Sequence, residues 1–274
     1  MTGKAELSQD RKPEKQEEQF EVLNMATQSY GFYTSKKAEL LTGFNKTANL
    51  VRDFVESVYG VELAVTLHRE ALREYEKLIP DIPHLEGRLA GQLNSFLMIT
   101  AQEVALWKAM KNHGLTPADA WEICHEAITR RMKNFSKIKR WLLTQMMYSG
   151  MAIRRMKKRA EARTHLRSGD FEVKYVIGDG IEFDYEVDYV ACGNYKFALD
   201  QGVEEFAPYI CMSDIALGKA LGWGLARTET LADGTNQCDF RFKKGGELRI
   251  SSKTPEVQAT IEKISSREAG EKEG

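Results

Sequence analysis

The chain has 274 residues, and 39 Lys plus Arg set against 40 Asp plus Glu leave a formal net charge of −1. An apolar content of 42% is ample for the core of one large domain or two smaller ones, and the balanced charge excludes a strongly basic nucleic-acid binder. No run approaches the roughly 18 uncharged apolar residues that a membrane span requires, so no integral membrane association is expected. The N-terminal stretch is charged and lacks the apolar centre of a secretory signal. The four cysteines form no Cys-x-x-Cys pair and no disulfide framework, which makes a reducing cytoplasm the expected location.

Residues 1–19 and the stretch from Ser265 to Gly274 are rich in Lys, Glu and Gln with almost no apolar content, which predicts frayed ends. From Phe20 to residue 167 the pattern is helical. Leu67, Leu72, Tyr75 and Leu78 suit an amphipathic helix that ends at Pro80-Asp81-Ile82-Pro83. Leu85, Leu89, Leu93, Leu97, Val104 and Met110 predict a second helix, stopped at His113-Gly114. A third starts with Thr116 as N-cap, Pro117 at the first helical position and Asp119 in the first turn; Trp121, Cys124, Ile128 and Met132 line one face. A long fourth helix carries Ile138, Trp141, Leu142, Met146, Ile153 and Met156, and its apolar stripe is expected to commit one side to packing.

The texture changes near Gly169. Phe171 to Ile177 and Ile181 to Tyr189 alternate apolar and polar residues around Gly178-Asp179-Gly180, as in an antiparallel hairpin with one buried face. Helical segments follow at about 195–200 and 204–221. A second hairpin joins Trp223–Thr230 to Cys238–Lys243 through Ala232-Asp233-Gly234. The expectation is an α+β fold: a helical region at 20–167, an antiparallel-sheet region with short helices at 168–252, and a C-terminal helix or tail at 253–274.

Several features have both a functional and an ordinary reading. The segment from Arg130 to Arg167 is basic with Glu161 as its only carboxylate; it suits an anion-facing surface or a solvated helix face. Glu182, Asp184, Glu186 and Asp188 could form an acid/base pair or bind cations, but alternation alone produces such a wet strand face. Zinc-hydrolase spacings of histidine, dinucleotide and phosphate-binding glycine loops and the Gly-x-Ser-x-Gly elbow are all missing. What remains is a C-terminal cluster: Cys192, Cys211 with Asp214 three residues on, Arg227, Thr228, Thr230, Cys238 and Asp239. Thiols beside a cation or a carboxylate are raw material for nucleophilic catalysis, although free cysteines are commonly just small buried apolar residues.

Taken as strings, these residues have a known counterpart. Cys192, Ile210-Cys211-Met212-Ser213-Asp214, the run Arg227-Thr228-Glu229-Thr230-Leu231-Ala232-Asp233-Gly234 and Cys238-Asp239-Phe240-Arg241-Phe242 resemble the L-2-amino-thiazoline-4-carboxylic acid hydrolase family, over about Asp188 to Lys243. The resemblance implies a hydrolase that opens a cyclic amidine or isothiourea, or a related C–N or C–S bond, to give an N-carbamoyl-cysteine type of product. It implies catalytic roles for Cys192, Cys211, Asp214, Cys238 and Asp239, and substrate binding by Asn194, Tyr195, Arg227 and Thr230, with Arg227 as carboxylate clamp. The other reading of Arg227 is an internal salt bridge to Asp214, Asp239 or Glu229. The expected partner is a small-molecule substrate, with self-association left open, and no cofactor is expected. The alternative is a non-catalytic small-molecule or metal-binding module using the same cysteine-lined pocket. Zinc is the metal such ligands would take, yet separations of 19 and 27 residues between the cysteines match no compact zinc motif.

Overall fold

The apolar spacing of the first half folds into packed helices. The structure, a computed structural model, describes residues 31–86, 90–162 and 170–273. The expected tail at 1–19, the start of the helical stretch, Leu89 and the boundary at 167/168 lie outside the described residues. After a 3-10 turn at Phe32–Lys36 come α1 (Lys37–Leu50), α2 (Arg52–Tyr59) and α3 (Val61–Leu78). Leu67, Ala71, Tyr75 and Leu78 recur at helical spacing on α3 and are all buried. Proline ends α3 in a 3-10 turn at Ile79–Asp81. Helix α4 (Ala90–Lys111) packs along α3 and is buried on several sides, with Leu97, Thr100, Ala101, Val104 and Ala105 all inside. Leu85 is buried but precedes the helix, where the Asn94 amide holds its backbone: Leu85 N–H donates to Asn94 Oδ1 at 2.8 Å and Asn94 Nδ2 to the Leu85 carbonyl at 2.9 Å.

Helix α5 (Pro117–Lys133) starts at the expected cap. Thr116 Oγ1 accepts from the Asp119 amide at 3.2 Å while Asp119 Oδ2 accepts from the Thr116 amide at 2.8 Å, a reciprocal capping box. The long fourth helix is two helices, α6 (Lys137–Met147) and α7 (Gly150–Glu161). Ser149 makes the break, because its hydroxyl caps α7 by accepting from the Ala152 amide. The expected packing stripe is corrected with it. Ile153 is buried on α7, but Trp141, Leu142 and Met146 are 60%, 49% and 66% exposed on α6. Once the helix breaks, burial of Ile153 no longer fixes the face that α6 turns inward.

Strands β1 (Glu172–Ile177) and β2 (Tyr185–Ala191) pair antiparallel with Tyr175 opposite Val187. The turn between them is wider than the glycines suggested, and Ile181 and Phe183 lie outside the ladder. Asp179 Oδ1 accepts the amides of Ile181 at 2.8 Å and Glu182 at 3.0 Å, a local turn that competes with strand pairing. Then come α8 (Gly193–Asp200), α9 (Ala207–Ile210), α10 (Ser213–Leu221), β3 (Leu225–Arg227), β4 (Cys238–Phe242) and β5 (Arg249–Ile250). The sheet order is β1-β2-β4-β3-β5, antiparallel except for the β3–β5 pair, which the sequence did not suggest. Helix α11 (Pro255–Glu273) runs on through the stretch expected to fray after Ser265. The class is α+β.

Two apolar cores result. The larger joins Phe44, Tyr75, Leu97 and Trp121 of the N-terminal helices to Phe206, Met212, Val257 and Ile264. The smaller contains Ile153, Tyr185, Val187, Leu225 and Phe242. Tyr189 on β2 packs against both.

Candidate active site

Near Tyr189 the chain brings together residues far apart in sequence. Cys192 is the N-cap of α8. Cys211 lies at the break between α9 and α10, and Ser213 and Asp214 open α10, where free helix amides favour a carboxylate. Arg227 ends β3. Cys238 begins β4 in register with Tyr189.

Arg227 organises this centre although it is only 1% exposed. Its Nη1 donates to Asp214 Oδ2 at 2.6 Å and to the Cys211 carbonyl. The Phe240 ring lies 5.6 Å from Cζ, a cation–π distance. Nε is buried and has no hydrogen-bond partner among the described residues. The ion pair with Asp214 is thus present, and one edge of the guanidinium remains unused. Burial raises the Asp214 pKa above the ordinary carboxylate range, against the opposing pull of Arg227.

The thiols of Cys192, Cys211 and Cys238 are each pushed up to about 12, first by burial. Charge on Cys211 would raise Cys192, charge on Cys238 would raise Cys211, and charge on Cys192 would raise Cys238, so the three share one neighbourhood. Cys238 also accepts the Leu231 amide at 3.3 Å. Arg227 is the largest influence that lowers Cys211. Cys124 stands apart on α5, where Glu103 is the charge that it feels. At neutral pH the thiols are therefore uncharged. Iodoacetamide at pH 7.5 is expected to label Cys192, Cys211 and Cys238 about a thousandfold more slowly than a free cysteine, the loss of thiolate that such a shift implies. Peptide mapping reads this directly, and labelling of Cys211 at the free-cysteine rate would show that it is a thiolate instead.

Asp239, Thr228 and Thr230 are placed differently. Asp239 Oδ1 accepts the Thr228 amide at 2.8 Å and the Glu229 amide at 2.6 Å, and Oδ2 accepts the Thr228 hydroxyl at 2.7 Å. Thr230 and Asp233 cap each other, at 2.9 Å from Thr230 Oγ1 to Asp233 Oδ2 and 3.1 Å from the Asp233 amide to Thr230 Oγ1. Asp233 also accepts from Ser252 and Thr254. Burial alone would raise the Asp233 pKa, but hydrogen bonds from Ser252, Thr230 and Thr254 hold it low. These residues brace the 228–235 turn on which Arg227 and Cys238 are mounted. Asn194 leaves a buried Oδ1 with no partner among the described residues, and Tyr195 packs on the larger core.

Two further residues were not singled out in the sequence. Glu103 on α4 is 6% exposed and accepts the Ser213 hydroxyl at 3.1 Å. Burial, with the nearby Asp214 charge, lifts its pKa to about 8 even though Ser213 opposes the shift. Tyr189, held protonated by burial, feels charge on Cys192, Asp214 and Cys238. The signal for Glu103 lay in its helix: a lone carboxylate amid Thr100, Ala101, Val104 and Ala105 has no wet face to occupy.

The cluster meets solvent at Asp214, whose side chain is 23% exposed, and at the half-buried Cys192 and Cys211. Clefts of about 400 Å³ beside Glu70 and His113, and about 210 Å³ beside Tyr148 and Arg154, contain none of its members. Among the described residues no three His, Cys, Asp or Glu side chains are grouped to hold a metal ion, and no helix is long and apolar enough to cross a membrane.

Fold and site together define an α+β protein with a buried thiol, carboxyl and guanidinium cluster. The chain belongs to the L-2-amino-thiazoline-4-carboxylic acid hydrolase family, whose model matches residues 95–242. The match runs from α4 to the end of β4, so it takes in Glu103 and the basic helices as well as the cysteine-bearing stretch. No curated protein and no solved structure matches the chain.

Proposed function

We propose that the chain is a hydrolase opening a small cyclic amidine or isothiourea of the 2-aminothiazoline-4-carboxylate type, without an organic cofactor. The observation that carries this reading is the Nε edge of Arg227: a buried donor without a partner, next to Asp214 and the three thiols. A substrate carboxylate on that edge would supply charge-assisted hydrogen bonds to a group that otherwise bears a desolvation cost. The added negative charge would raise the Asp214 pKa further, which suits Asp214 to hold a proton during turnover.

Cys211 is the nucleophile in this scheme because it stands three residues from Asp214 and Arg227 most opposes the upward shift of its pKa. The Cys211 proton passes to Asp214 as Sγ bonds to the amidine carbon. The bond from that carbon to the ring sulfur breaks, and the sulfur leaves as a thiol with the proton from Asp214. Water then adds to the same carbon, Sγ departs and regains a proton, and the product is the opened urea. One water is consumed overall.

Incubation of the protein with 2-aminothiazoline-4-carboxylate is expected to release one thiol per substrate consumed. The product should be heavier than the substrate by the mass of one water. Rapid quenching followed by peptide mass spectrometry should find the opened substrate on Cys211. Failure to release thiol or form the hydrated product rules out this substrate class, whereas turnover with no adduct on Cys211 leaves direct attack by water as the route.

A further inference from the structure

Helix α6 is wet on the side where its sequence is apolar. At about 100° per residue, Trp141, Ile138, Leu142 and Met146 occupy one arc of roughly 140°, with Lys137 and Lys139 at its two edges. All four apolar side chains are exposed, Ile138 at 72% and Met146 at 66%. The opposite side of α6 is the packed one, where Leu143, Thr144 and Met147 are half-buried and Thr144 Oγ1 donates to the Leu221 carbonyl at 2.6 Å. Met151 extends the apolar surface onto α7 at 63% exposure, and Arg154, Arg155, Lys158 and Arg159 are exposed along that helix. Glu161 is the only carboxylate on the two helices and lies 3.8 Å from Lys157.

We infer that α6 and the start of α7 form a docking surface for an anionic lipid bilayer, with Trp141, Ile138, Leu142 and Met146 entering the headgroup–acyl boundary and the flanking cations meeting the lipid phosphates. The argument is one of charge and shape. The apolar arc is a convex helix face rather than a groove, so it suits a soft planar partner. Lysines at both edges of the arc can extend their ammonium groups to the headgroup level while their stems lie along the apolar surface. A solvated helix face would account for the cations but not for the exposed Trp, Ile, Leu and Met between them. A second copy related by twofold symmetry would set this cationic rim against itself.

The test is flotation of the full chain with vesicles of phosphatidylcholine alone and of phosphatidylcholine containing about one-third phosphatidylserine. The protein is expected to float with the anionic vesicles and not with the neutral ones. Lys137→Glu together with Lys139→Glu should weaken binding, and so should Trp141→Glu, each by tenfold or more. Because these side chains are exposed, circular dichroism and melting temperature should be unchanged in both variants. Raising the salt from about 0.1 M to about 0.5 M should reduce binding without abolishing it, since the apolar part is unscreened. The inference fails if the protein stays unbound with anionic vesicles at low salt, or if binding is indifferent to Trp141→Glu and vanishes with salt. It also fails if the same substitution instead dissolves a dimer seen by size-exclusion chromatography.

Discussion

Replacing Arg227 by leucine is expected to destabilise the protein by about 3 kcal/mol, the lower part of the range for breaking a buried ion pair. The lower part applies because Asp214 keeps a 23% exposed side chain and its raised pKa lets it take up a proton when the guanidinium goes. The Cys211 carbonyl also loses a donor. In a chain of this length, such a loss lowers the melting temperature by roughly 6–12 °C. Arg227→Lys separates the two roles of the residue. An ammonium has enough donors for both Asp214 and the Cys211 carbonyl, which Nη1 alone serves, but it has no second planar edge to offer a ligand. The lysine variant should therefore melt closer to the parent than the leucine variant does. For the 2-aminothiazoline-4-carboxylate reaction its KM should rise by about 10–150-fold, the equivalent of losing one charge-assisted hydrogen bond. Calorimetry and steady-state kinetics on both variants decide the matter. A lower melting temperature with an unaltered KM would make Arg227 a purely structural residue and remove the carboxylate clamp from the mechanism.

Features set by local chemistry were legible in the sequence. The Thr116-Pro117-Asp119 start needs only its own side chains to satisfy the first amides of α5, and the structure has that cap. The alternation on either side of Gly178 yields strands because one face of β2, at Tyr185 and Val187, has apolar residues to bury. The run from Arg227 to Phe242 makes its turn through internal bonds of Thr230, Asp233 and Asp239. The sequence could not say that Ser149 would end α6, because a single capping hydroxyl competes there with continued helical spacing. It gave no warning of β5, a strand of only two residues whose place is set by pairing with β3 and by the packing of Ile250 on both cores. The centre of the site is a tertiary product. Cys192, Cys211 and Cys238 could be grouped from their shared stretch of sequence, but the burial that keeps them neutral comes from packing. Glu103 reaches Ser213 across 110 positions of chain.

Glu103→Gln is expected to change how stability depends on pH. In the folded protein Glu103 holds its proton up to about pH 8, against an ordinary value of 4.5 for the free side chain. Below pH 4.5 the carboxyl is protonated whether the chain is folded or not, and above about 8 it is ionised in both states. Between those limits only the folded state binds the proton, so stability should fall as pH rises, at up to about 1.4 kcal/mol per unit from this one group. Glutamine has the same shape, can still accept the Ser213 hydroxyl and has no proton to lose. The variant should therefore match the parent near pH 4.5 and exceed it progressively up to pH 8. A smaller slope of the same sign should remain from Asp214, whose pKa is also raised. Melting curves of both proteins from pH 5 to 8 test this, and parallel profiles would mean that Glu103 is already ionised beside Ser213. A neutral Glu103 has a consequence for the site as well. It spares Asp214, the charge that Glu103 feels, a second carboxylate charge close by.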